Sequence, residues 1–295
     1  MTPHSFQMRT TEQHRARIPR RTFWGYFLLV FPLLLAMVTL FLFPISRILI
    51  TSLFDPGFTI IHYSRAISDA VYLRVLWTTV KISLMTTVIC LTLGYPMAYL
   101  MAEAKPTIRN VFISIVALSL FMSLLVKNYA WTVLLQDTGI INTYLQRLGI
   151  VSKPLPLMYN LFGVLVGMVQ MLLPFMILPL FSILNGMDRS LRQASRSLGA
   201  GTFRTFLHVT LPLSLPGIGA GSLLVFIISI GFFITPALLG GRKEMMLANL
   251  IDNQVRVALN WPFASTLAIV LLAFTLISYL VYYRIFGTER IWERV

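Results

Sequence analysis

The chain has 295 residues, 57% of them hydrophobic and 12% charged, with a mean hydropathy of +0.79. That excludes an ordinary soluble domain and indicates a protein that crosses a membrane several times. The formal net charge of +14 would suit nucleic acid, but its placement follows membrane topology: with the N-terminus inside, fourteen Lys and Arg fall in inner segments and seven in outer ones. Both termini are therefore expected in the cytoplasm, with lipid rather than nucleic acid as the partner of the basic charge.

A basic tail over 1–22 precedes six expected spans, at about 23–49, 73–101, 110–130, 160–184, 215–236 and 262–284. The first apolar run is too long for a cleaved secretory signal and reads as a retained helix. Asp55-Pro56-Gly57 reads as a turn, and Ile61, Ala66 and Ile67 suggest a short interfacial helix. Lys81 lies about two turns inside the second span, where a charge is costly. Two readings stand for it: a place on a solute pathway, or snorkelling to the outer surface.

After the third span come Lys127, Tyr129, Ala130 and Trp131, then Asp137. Tyr129 and Trp131 fit an interfacial aromatic belt, or a pathway mouth. Pro174 and Pro179 fall inside the fourth span and free backbone carbonyls, so this helix is expected to face protein or a water-filled cavity. Gly217, Gly219 and Gly221 promise close packing of the fifth span, which Thr235 to Gly241 is expected to break. A charged tail over 287–295 closes the chain. Cys90, the one cysteine, permits no disulfide within the chain, and no histidine has metal-ligand spacing with another His, Cys or acid.

Between the fourth and fifth spans, the loop over 186–212 has an organisation of its own. Arg189, Arg192, Arg196 and Arg204 face a single acid, Asp188, while Leu191, Ala194 and Leu198 recur at helical spacing. Gly199 stops that helix and is expected in a left-handed conformation. A second short helix carries Phe203 and Phe206, and Pro212 and Pro216 are expected to fix a re-entry into the next span. The result is a compact basic knob suited to docking on a soluble partner.

This loop resembles the cytoplasmic loop of bacterial ABC-importer permeases, E-A-A-x3-G-x9-I-x-L-P. Gln193-Ala194-Ser195 is followed by three residues and Gly199, and nine residues later by Val209, a spacer and Leu211-Pro212. Gln193 stands where the family usually has Glu, and Ser195 where Ala is usual. Gly94-Tyr95-Pro96 with Ala98-Tyr99, and Lys127-Asn128-Tyr129-Ala130-Trp131, resemble stretches of the spermidine/putrescine permease group, first permease type. The resemblance implies the six-helix type I importer permease fold in the bacterial inner membrane. It implies a second, related permease, a cytoplasmic ATPase dimer and a periplasmic binding protein as partners. It also implies that Gln193, Ala194, Arg196, Gly199, Phe203 and Pro212 serve the ATPase contact. Lys127, Tyr129, Trp131 and Thr235, in the resembling stretches, join Lys81, for its charge at depth, and Asp137, the one acid near the mouth, as candidates for the solute pathway.

The chain shows no G-x-x-x-x-G-K-[ST], G-x-S-x-G or H-E-x-x-H, so no cofactor and no catalysis of its own are expected, with ATP and Mg²⁺ on the partner ATPase. All ten acids lie in tails, loops or span ends, which argues against a proton-driven carrier. A polyamine is the first expectation for the solute, with amino acids, opines or ferric ion as the alternatives.

Overall fold

The structure, a computed structural model, describes residues 20–54 and 57–286, with side chains over 30–54 and 57–284. The expected basic tail up to residue 19, Asp55-Pro56 of the expected turn and the tail 287–295 lie outside those residues. The chain divides into two units, residues up to Ile48 and residues from Leu49 onward. The first unit holds most of α1 (Arg20–Leu53), which is apolar and contains Pro32 and Pro44.

Among the described residues the second unit is built of helices joined by loops, with one isolated bridge between Phe54 and Phe58. Its helices are α2 (Ile61–Ser68), α3 (Ala70–Glu103), α4 (Pro106–Phe121), α5 (Leu124–Leu135), α6 (Ile140–Arg147), α7 (Leu161–Gly186), α8 (Arg189–Ser197), α9 (Thr202–Thr205), α10 (Leu211–Ile230), α11 (Ile234–Leu239), α12 (Leu247–Arg256) and α13 (Trp261–Phe286). By length and composition, Val30–Leu53, Ala70–Glu103, Leu161–Gly186, Thr202–Ile230 and Trp261–Arg284 can each cross a membrane. A sixth crossing is counted when Pro106–Phe121 and Leu124–Arg147, bent by 96°, are taken together.

The core is the bundle of α3, α7 and α10, centred on Cys90, Met168, Leu172, Met176, Leu180 and Val225. Small residues make it close. A Cβ on Gly94 of α3 would meet Met176 Cγ at 2.9 Å, and one on Gly221 of α10 would meet Met176 Sδ at 2.9 Å. Met176 of α7 is thus held between two backbones that only glycine lets approach. Helices in an apolar solvent gain little from burial as such, so contact of this kind carries the association. Smaller clusters flank the core. Tyr72, Leu247, Phe263 and Leu267 join α3, α12 and α13, and Leu135, Met158 and Leu239 join α5 and α11.

The expected third span, 110–130, is two helices. α4 ends at Phe121, Met122 and Ser123 are extended, and α5 starts at Leu124. Apolarity persists across this break, so the sequence pattern gives no sign of the bend. The fifth span begins earlier than 215: α9, a π-helical turn over Phe206–Thr210 and α10 run on as one helix from Thr202 to Ile230. It ends at Gly231, so the break expected at Thr235–Gly241 comes sooner, and Thr235 lies inside the short α11.

Candidate functional site

The loop over 186–212 is built from its N-cap upward. The Asp188 carboxylate accepts the Ser190 backbone N–H at 2.8 Å and starts α8. That bond holds the Asp188 carboxyl below its ordinary range. At the other end, the Gly199 N–H donates to Arg196 O at 2.9 Å and the Ala200 N–H to Ser195 O at 3.2 Å. This is the paired C-terminal closure that needs a left-handed residue, and Gly199 has φ +85. The Ser195 and Thr205 hydroxyls meet at 3.1 Å and tie α8 to α9.

The second half differs from the expected short helix and proline-fixed re-entry. Pro212 has no N–H to give the carbonyl four residues back, and the helix answers with a widened turn in which the Leu211 N–H reaches the Phe206 carbonyl. The proline re-spaces the helix here without ending it. Gln193, Ala194, Arg196, Gly199, Phe203 and Pro212 are all exposed, Phe203 at 75% and its neighbour in the knob Leu198 at 88%. Two large apolar side chains on a basic, solvated surface are what a contact face presents.

The knob is anchored to α3. Arg192 Nη1 pairs with Glu103 Oε1, with the Arg192 side chain 12% exposed. Glu103, Arg189, Arg192, Gln193 and Arg196 enclose a hollow of about 120 Å³. Phe206, on the π turn, receives Tyr95 and Tyr99 edge-on at 5.8 and 6.1 Å, and Tyr95 Oη lies 2.9 Å from Ser214 Oγ. Neither the Glu103 pair nor the seat for Phe206 was read from the sequence. The spacing of Tyr95, Tyr99 and Glu103 at i, i+4 and i+8 was the available signal.

The pathway candidates scatter. Lys81, Tyr129 and Asp137 are exposed, on α3, on α5 and just after α5. Trp131 packs on the Leu135, Met158 and Leu239 cluster. Lys127 is buried, and its ammonium donates to the carbonyl of Ser119 and, at 3.3 Å, to the Ser119 hydroxyl. It closes the C-terminal end of α4 at the bend, where a cation suits the helix dipole. Thr235 is fully buried, and its hydroxyl finds no protein partner; the same holds for Asn128 Oδ1, Gln170 Oε1 and the Ser83, Thr86 and Ser229 hydroxyls. Thr235 and Asn128 both lie over Gly167, whose added Cβ would be 2.6 Å from Thr235 Cγ2 and 3.8 Å from Asn128 Oδ1. Of these interior polar groups, Ser83, Thr86 and Ser229 were missed because single Ser and Thr residues barely interrupt an apolar run.

Five to six helical crossings among the described residues, with a capped basic knob between the fourth and fifth of the expected spans, define a polytopic membrane protein. The family described as "Binding-protein-dependent transport system inner membrane component" matches residues 22–287, and the chain belongs to it. It is accordingly a multi-pass protein of the inner membrane and a transport component. Among its relatives, the spermidine/putrescine transport system permease protein PotB of Haemophilus influenzae is 37% identical over 270 residues, covering 88% of this chain and 90% of that one. PotB of Escherichia coli strain K12 is 34% identical over 227 residues, covering 77% and 82%. Among solved structures, a chain of a bacterial ABC transporter importing alginate superposes with TM-score 0.72 at 15% identity, covering 90% of this chain and 97% of that one. A chain of the MetNI methionine ABC transporter gives TM-score 0.57 at 17% identity, covering 74% and 95%. The fold is that of an ABC-importer permease.

Proposed function

We propose that the chain is one of two related permease subunits of an ATP-driven importer, and that it forms half of a pathway for polyamines delivered by a periplasmic binding protein. The observation that carries this reading is the knob: an exposed, capped helix closed by Gly199 at φ +85, presenting Leu198 and Phe203 beside basic charge. A cytoplasmic ATPase is the partner that fits it. ATP and Mg²⁺ reside there, since this chain has no phosphate-binding loop of its own. The charge bias puts the knob and both termini in the cytoplasm. Gln193, Ala194, Arg196 and Phe203 make the contact, while Gly199 and Pro212 set its shape. Closure of the ATPase dimer moves the knobs and switches the bundle between inward- and outward-facing states.

Polyamine as the solute is supported by the relatives, both described as spermidine/putrescine permeases. Tyr129, Trp131, Asp137, Lys81 and Thr235 are the pathway side chains of this reading. Lys127 leaves that set, because its ammonium is engaged at the end of α4. The test is to express the chain with its neighbouring genes, identify what copurifies, and titrate the binding protein with spermidine, putrescine and amino acids. Retention of a P-loop ATPase and a second permease, with tight polyamine binding, is the expected result. A chain that purifies alone would overturn the ATPase reading, and a binding protein that prefers amino acids would overturn the solute. Gly199→Asp should abolish uptake with membrane insertion intact.

A further inference from the structure

The region of Gly94 to Tyr99, singled out by its sequence, and the docking knob come together in the structure. Tyr95, Tyr99 and Glu103 form one stripe along the inner end of α3, each a turn beyond the last. Each grips a different part of the segment that follows α7. Tyr95 holds Ser214 at 2.9 Å and meets Phe206 edge-on, Tyr99 meets Phe206 from one turn further on, and Glu103 pairs with Arg192 of α8. A fourth link, Arg109 Nη1 to Asn185 Oδ1 at 3.0 Å, joins α4 to the end of α7 just before the knob.

We propose that this stripe is the transmission element of the subunit: displacement of the knob by its ATPase is carried into α3 through Glu103, Tyr99 and Tyr95, as well as along the helix that begins at Thr202. The covalent route alone crosses the π turn at Phe206–Thr210, where the helix is widened. A single displaced end of a helix with a softened turn would bend there and leave the bundle where it was. The stripe bridges that turn. It holds Phe206 on its near side and Ser214 beyond it, so the segment on both sides moves with α3. α3 in turn packs through Gly94 on Met176 of α7 and lies at the centre of the core. The Arg192–Glu103 pair reaches directly from the docking helix to α3. Tyr95, Tyr99 and Glu103 are thus positioning residues, and none of them needs to touch the ATPase or the solute.

This inference rests on the ATPase-docking reading of the knob, and its test separates the two. Whole complexes carrying Glu103→Arg, Arg192→Glu or both are reconstituted with the ATPase, and three quantities are read: ATPase retained, ATP hydrolysed and solute moved. Each single reversal is expected to lower solute moved per ATP by about tenfold, with the ATPase still retained, and the double reversal to restore most of it. Tyr99→Leu should lower the same ratio, and Tyr99→Phe, which keeps the ring on Phe206, should restore it. Single reversals with the wild-type ratio, or a double reversal no better than the worse single, would overturn transmission through the stripe. Loss of ATPase retention in the single reversals would place the pair in docking and likewise overturn it. A wild-type complex that never retains an ATPase would fail the docking reading itself and take the inference with it.

Discussion

The two ends of α3 are tied to their neighbours by different chemistry. At the end near the knob, the ties are an ion pair with Glu103 41% exposed, two aromatic edges and one hydroxyl pair. At the far end they are buried. The Leu247 N–H of α12 donates to Thr79 Oγ1 at 2.8 Å, and Tyr72 packs edge-on at 4.8 Å against Phe263, which is fully buried. The loop around α6 is closed in the same way, with buried Asn142 bonding the Gln136 and Leu155 carbonyls and the Leu155 N–H. Buried hydrogen bonds and aromatic packing are costly to leave unmade, so the far end holds one arrangement. A half-exposed ion pair contributes modestly to stability and can re-form after a displacement, so the near end can move with the knob without unfolding. One end of the helix is built as an anchor and the other as a working joint.

Substitutions at the far end should break that contrast through stability, and the largest effect is expected there. Phe263→Ala should cost about 3–5 kcal/mol and show as loss of folded complex on heating in detergent. Thr79→Val keeps the shape but leaves the Leu247 N–H without its acceptor. It should cost about 1–3 kcal/mol in the same assay. At the near end, Gly199→Ala should cost about 1–2 kcal/mol of knob stability, all of it conformational, because a Cβ there would meet nothing within 4 Å. It should lower ATPase retention with little change in the thermal stability of the bundle.

The smallest effect is expected at Asp188. Its folded-state carboxyl is held low by the Ser190 N–H, so its contribution is present above the unfolded value, about 3.9, and is lost as pH falls through the lower folded value. ATPase retention should therefore stay flat from about pH 6 to 8 in the wild type. Asp188→Ala should weaken it across that range, and the gap between the two should close only in strong acid. A gap that closed near neutrality would assign the titration to another group.

Much of the near end was legible because caps and turns are local. Gly199 and the spacing to Pro212 act over one or two turns of chain, and the structure places Gly199 in the left-handed conformation expected of it. Pro212 was misread for an equally local reason: a proline removes one hydrogen bond, and whether the helix ends or widens depends on what holds it from outside, here Tyr95 and Tyr99 on Phe206. Lys127 shows the same limit. Its place in the Lys127–Trp131 stretch marked it for a pathway, and only the bend between α4 and α5 supplied the carbonyl that it closes.

By itself the sequence determined that this is a membrane-spanning helical protein with a compact basic knob between two spans. Runs of apolar residues long enough to cross a bilayer, a bias of basic charge and a capped helix are properties of neighbours along the chain. Only the tertiary structure decided that Tyr95, Tyr99 and Glu103 hold the knob, that Met176 sits between Gly94 and Gly221, and that Thr235 and Asn128 both lie over Gly167. In an apolar solvent every outward face of a helix reads alike. Which face meets which partner is set by shape and a few polar contacts between residues far apart in the chain.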